Sequence, residues 1–219
     1  MFSGGMTATI TGREKPMSTC LPLPLPGVIA IASLSQVARQ KRRFDAILTA
    51  EDPRGRPSNR FRFNIAPYRP QLILRFEDVD DEGLGFSHAN AEQVEAALAY
   101  GRRFSNSSLI VHCHHGVGRS AALGLAIMAD RAGAGMEAEV VEALFAQRPE
   151  ACPNQIVIAL ADAILLRDGA LLAALAAYEA RTPHMGVRRS NRASYAARNP
   201  QEYTPDTWEG DRILRNHGG

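Results

Sequence analysis

A chain of 219 residues can bury a sizeable core, and at that length needs neither a metal nor disulfides in order to fold. Hydrophobic residues at 45% and charged residues at 22% exclude wholesale disorder. The 25 Lys+Arg against 23 Asp+Glu leave a net charge of +2, which excludes an extreme basic or acidic character but chooses no class of partner.

Residues 1–27 are small, polar and proline-rich and are expected to form a flexible lead-in. The charge-free stretch between Lys15 and Arg39 imitates an export signal. Pro22, Pro24 and Pro26 break its apolar core, however, and no basic residue leads into it from Met17. Other apolar stretches are interrupted by charge, as at Asp162, Arg167 and Asp168, so no membrane span is expected. Cys20, Cys113 and Cys152 are too few and too scattered for a disulfide framework, and a cytoplasmic location with reduced thiols is expected.

The elements then follow in order. Val28–Ala32 reads as a strand, and Ser33 as the cap of a helix running to about Gln40. Residues 45–50 give a second strand, and 54–69 a loop relieved only by the alternation Phe61-Arg62-Phe63-Asn64-Ile65. Leu72–Phe76 alternates as a strand and runs into the acidic stretch 77–82. Asn90 and Gln93 form a capping pair before a helix marked by Val94, Ala97, Leu98, Gly101 and Phe104. Leu109-Ile110-Val111 has the unbroken apolar character of a strand buried on both faces. Helices follow over Ser120–Ala132 with a Gly133 stop, from Met136 to before Pro149, from Pro153 through Leu165, and over 170–180. Past Arg181 apolar periodicity fades, so 181–219 is expected to be a largely disordered polar tail around a domain at 28–180. Strands alternating with helices predict an α/β fold with a central, mainly parallel sheet flanked by helices.

The chemistry concentrates in Leu109–Ser120, LIVHCHHGVGRS. A buried strand, a loop and a helix in that order place the loop at the carboxyl end of a strand, where open α/β sheets bind ligands. Its N–H groups can curl round an anion, helped by the helix N-terminus, and Gly116 and Gly118 allow the required backbone angles. Cys113 at the loop's start would sit in a field that favours a negatively charged sulfur. Arg119 at its end can grip two phosphate oxygens at once. Together they suit attack by sulfur on a phosphorus held by amides and a guanidinium.

The run His112-Cys113-His114-His115-Gly116-Val117-Gly118-Arg119-Ser120 resembles the H-C-x5-R-S signature of the cysteine-dependent protein tyrosine phosphatases. Flanking segments resemble the dual-specificity branch: Leu74-Arg75-Phe76-Glu77-Asp78, 35 residues before Cys113 at its last position, and Arg148-Pro149 followed by Pro153-Asn154. The resemblance spans roughly residues 28–168. It implies a phosphoric monoester hydrolase that passes through a phosphocysteine on Cys113. Asp78 would be the general acid and then base, and Arg119 with loop residues 114–118 would hold the phosphate. Ser120 would ease the departure of sulfur, His112 would support the loop from behind, and Asn154 would brace it. No cofactor or metal is implied, and adjacent histidines point in different directions without a second ligand cluster.

Some features depart from that pattern. There is no Trp-Pro-Asp triplet, and the sole tryptophan, Trp208, lies in the expected tail. Apolar Ala159 and Leu160 stand where a glutamine is usual, and Asp80 or Asp81 could replace Asp78 as the acid. A phosphorylated protein, on tyrosine or on serine/threonine, is the expected substrate. A phosphoinositide is less favoured without loop lysines. Residues 39–69 carry nine Lys/Arg against three acids, a solvated face or a rim for acidic substrates that could also meet an RNA 5′ phosphate. A rhodanese-like sulfur transferase and a non-catalytic phosphate-binding module are the alternatives, and oligomeric state is left open.

Overall fold

The computed structural model describes residues 27–63 and 68–216. The expected lead-in falls outside the described residues except for Gly27, as do Asn64 and Ile65; Phe61–Phe63 form no strand. Five strands form one sheet in the order β1-β4-β2-β3-β5. They are β1 Ile29–Ser33, β2 Ala46–Glu51, β3 Gln71–Arg75, β4 Leu109–Cys113 and β5 Ile213–Asn216. The first four run parallel, and β5 pairs antiparallel with β3. Of the three inner strands, β4 and β2 are buried at every residue, which is why Leu109-Ile110-Val111 reads as an apolar run without alternation.

Both faces of the sheet are covered. On one, Ala32, Ile47, Ile110 and Phe63 pack with Val37 of α1 Leu34–Gln40 into a small cluster. On the other, Ile31, Leu48, Leu74, Leu109 and Val111 meet a larger core supplied by the remaining helices. These are α2 Ala91–Arg103, α3 Arg119–Ala132, α4 Glu137–Gln147, α5 Gln155–Ile164, α6 Ala170–Ala180 and α7 Pro183–Arg198. At the centre lies α3, buried almost throughout its first three turns. A Cβ at Gly124 would stand 2.8 Å from Ile31, and one at Gly101 would stand 2.5 Å from Ile127, so these glycines let α3 approach the sheet and α2 closely. The free edge of β1 is occupied by Gln147, whose side chain accepts from the Ile31 N–H at 2.7 Å and donates to the Ile29 carbonyl at 2.9 Å.

The expected caps form. Ser33 Oγ accepts from the Gln36 N–H while Gln36 accepts from the Ser33 N–H, and Asn90 with Gln93 makes the same reciprocal pair. Pro153 does not open α5; Asn154 does, its side-chain oxygen accepting from the Val157 N–H at 3.1 Å. The larger correction concerns 181–219, which is folded over its described length. Pro183 opens α7, and β5 completes the sheet. Between them Tyr203 stacks on Phe86 with ring centroids 4.8 Å apart, and Phe86 bridges Pro205. Periodicity missed α7 because only Met185 and Ala196 of its residues are buried apolar ones, and its other anchors are arginines. Among the described residues no helix is long and apolar enough to cross a membrane.

Candidate active site

The parallel pleat separates His112 from Cys113. His112 lies beside Thr49 in the register and Cys113 beside Ser33, at the carboxyl ends of three adjoining strands. Cys113 is 2% exposed and is one of the residues lining a cleft with Leu34, Asp52, Asn59, Arg60 and His114. Its Sγ accepts from the Gly116 N–H at 3.2 Å and lies 3.2 Å from Ser120 Oγ.

The loop curls as its glycines suggest. Gly116 has φ +76°, and a Cβ there would stand 2.6 Å from the Ser33 nitrogen and 2.7 Å from Arg148 Nη2. Only glycine fits. A Cβ on Gly118 would overlap the carboxylate of Asp78, which therefore sits directly over the loop's last residue. The loop carbonyls are tied outward: the Leu34 N–H donates to His114, that of Cys152 to Val117 and that of Ala122 to Gly118. His114 and His115 are exposed and meet edge to face at 4.5 Å. Burial first, then His114 and Arg119, hold His115 below the usual histidine range, so it adds no fixed charge at neutral pH.

Arg119 is 4% exposed, and its Nη1 bonds Asp52 Oδ1 at 2.7 Å and the Phe76 carbonyl at 2.8 Å. Its Nε–H has no partner within the described structure. Burial works against the charge, but Asp52, Asp78, Cys113 and Glu77 outweigh it and raise the pKa, so the guanidinium stays cationic. Beneath the loop His112 Nε2 lies 2.8 Å from Thr49 Oγ1, which accepts from Gln71 Nε2 at 2.7 Å; Gln71 also donates to the Phe61 carbonyl. Burial pushes His112 down to about 4, so it is neutral and belongs to a polar chain crossing β4, β2 and β3.

The acidic stretch sorts its members. Glu77 is buried, accepts from the Thr204 N–H at 2.9 Å, and has its pKa raised chiefly by that burial. Asp80 is bonded to Arg189, Arg192 and the Gln155 N–H, and exposed Asp81 accepts from the Gly83 N–H at 2.8 Å. Asp78 alone faces the loop. Asn154 Nδ2 reaches Asp78 Oδ1 at 3.1 Å and the Val79 carbonyl at 2.8 Å, so its side chain braces the acid segment, while its N–H reaches the Gly118 carbonyl at 3.4 Å.

Sequence reading did not single out Asp52, Thr49, Gln71 or the arginines of α7. Asp52 carried one available signal, its place just past the carboxyl end of a predicted strand. The basic stretch proves less free than its charge suggests: Arg62 pairs with Glu51, Arg54 donates to the Tyr203 carbonyl, and Arg69 to that of Phe44. Arg60 borders the cleft. Among the described residues no group of three or more His, Cys, Asp or Glu is arranged to hold a metal ion.

No family model matches this chain and no curated protein is similar to it in sequence. Some solved structures are similar to it in structure. Tk-PTP in its active form is 18% identical, covering 66% of this chain and 95% of its own, with a TM-score of 0.48. Human tyrosine phosphatase-like serine/threonine/tyrosine-interacting protein is 15% identical over 62% and 87%, TM-score 0.45. Human DUSP28 is 20% identical over 70% and 94%, TM-score 0.41. Likeness this distant settles no activity.

Proposed function

We propose that this chain is a cysteine-dependent phosphatase of the dual-specificity type, acting on phosphorylated protein in the cytoplasm. The observation that carries the reading is the pairing of Cys113 with Arg119. One sulfur accepts from a loop N–H and adjoins a hydroxyl, beside a buried guanidinium anchored through Nη1 with its Nε–H unpartnered. An orphaned buried N–H costs about 1–3 kcal/mol, a cost that a bound phosphate oxygen removes. Asp52 and the Phe76 carbonyl fix one terminal nitrogen of Arg119, leaving Nε and the other terminal nitrogen as the prongs for two equatorial oxygens.

In the first step Cys113 Sγ attacks phosphorus, the S–P bond forms as the P–O bond to the leaving group breaks, and Asp78 gives its proton to the departing oxygen. In the second step Asp78, now a carboxylate, takes a proton from water as that water attacks phosphorus. The S–P bond breaks, Ser120 hydrogen-bonds the leaving sulfur, and phosphate departs. Asp78 suits this role better than its neighbours, because Asp80 is committed to two arginines and an N–H and Asp81 turns to Gly83. His112 acts as a neutral support and shuttles no proton.

Purified protein assayed on phosphotyrosine and phosphoserine/threonine peptides, a phosphoinositide and a 5′-phosphorylated RNA tests the reading. Turnover is expected on the peptides, falling by at least about 10³-fold in Cys113→Ser. Vanadate binding is expected to survive that substitution. Turnover indifferent to position 113, or a persulfide on Cys113 with no phosphatase activity, contradicts it.

A further inference from the structure

The segment that carries Asp78 has little regular structure to hold it. Residues 76–81 follow β3 as a loop, with Phe76 and Glu77 tied by main-chain bonds to Glu51 and Ser87, and Asp81 by a long one from the Leu84 N–H at 3.5 Å. Asp78 is 28% exposed. Proton transfer nevertheless requires its carboxyl at hydrogen-bond reach of the leaving oxygen, and a displacement of about 1 Å can cost about 10²-fold.

Besides Asn154 and the Gln155 N–H, a further restraint comes from α7, beyond the stretch that carries the sequence resemblance. Arg189 and Arg192 lie one turn apart on this helix and point at one target. Arg192 Nη1 reaches Asp78 Oδ1 at 3.4 Å and the Cys152 carbonyl at 3.0 Å, while its Nη2 pairs closely with Asp80. Arg189 Nη1 donates to Asp80 at 3.2 Å and to the Pro153 carbonyl at 3.0 Å, and Glu179 of α6 grips its Nε and Nη2. These groups are mostly buried, with side-chain exposures of 14% for Arg189, 16% for Arg192 and 17% for Asp80. The carbonyls they bind belong to segment 152–155, whose own N–H groups bond the loop at Val117 and Gly118. Two arginines therefore fasten the acid segment to the same piece of chain that fastens the phosphate loop.

We propose that Arg192, assisted by Arg189, is a positioning residue that holds Asp78 over the loop for proton transfer, making the C-terminal helix part of the catalytic apparatus. The proposal rests on the phosphatase reading above. Arg192 contacts the acid rather than the phosphoryl group. It acts through Asp80 and Asp78, and its loss leaves the Cys113–Arg119 cradle intact.

The experiment compares aryl phosphates whose leaving groups differ in acidity, because a poor leaving group needs the proton and a very good one scarcely does. In Arg192→Met, kcat/KM, which reports the first phosphoryl transfer alone, is expected to fall by about tenfold or more for phenyl phosphate, whereas that for 2,4-dinitrophenyl phosphate changes by less than about twofold and vanadate inhibition is unchanged. Arg192→Lys recovers part of the loss, and Asp80→Asn reproduces it from the other side of the contact should the Met variant fold poorly. In an Asp78→Ala background Arg192→Met adds nothing further. An equal loss on both leaving groups, an additive loss in the double variant, or no loss in Arg192→Met and Asp80→Asn overturns the proposal. Failure of the phosphatase reading is separable, because wild type and Cys113→Ser would then be alike on every substrate.

Discussion

His112 and Cys113 are neighbours in sequence, but the pleat sends them to opposite faces of β4 and gives them opposite tasks. Cys113 turns to the helix side, where the loop's N–H and Ser120 await it. His112 turns to the α1 side, where desolvation keeps it at about 4 and Thr49 Oγ1 lies within hydrogen-bond distance at 2.8 Å. An unfolded chain holds a histidine near 6.5. Between these values the unfolded chain takes up a proton that the folded chain refuses. The group's contribution is thus complete above about pH 6.5, is lost as the pH falls, and levels off near 4. Urea unfolding at pH 7 and pH 5 should show wild type losing about 2 kcal/mol more than His112→Gln over that interval. Equal losses would mean that His112 is not buried neutral.

Asn154 links a helix end to the segment of the proposed acid. Its oxygen caps α5 and its amide holds the Asp78–Val79 turn, with the residue 1% exposed. Asn154→Ala should cost about 2 kcal/mol, through the lost cap and the stranded Val79 carbonyl, read as a lower urea midpoint at unchanged slope. Its turnover should fall most for poor leaving groups, and a stability loss without that selectivity would confine Asn154 to capping. Much at this scale was legible beforehand. The strands through β4, the Ser33 and Asn90 caps and the loop-to-α3 transition follow from apolar runs and short-range polar spacing, which the sequence displays directly. The helix α7 was not legible, because it docks by Arg189 and Arg192 rather than by an apolar stripe. β5 is four residues long and owes its place to β3.

Over the whole molecule the site is where distant parts of the chain converge: Asp52 after β2, Asp78 after β3, the loop after β4, Asn154 before α5 and Arg192 on α7. The chemistry proposed for the loop could be read locally, since Cys113 to Ser120 lie in one continuous segment. The partners of Arg119 and Asp78 could not, because long-range register and helix docking decide them. All of these partners matter only if sulfur takes the phosphoryl group. The most direct check is to mix enzyme with excess phosphopeptide, quench in denaturant within a turnover and map the modified peptide by mass spectrometry. One phosphoryl group on Cys113, absent from Cys113→Ser, is the outcome expected here. Turnover with Cys113 unmodified throughout, or with phosphate on His114 or His115 instead, would contradict the account.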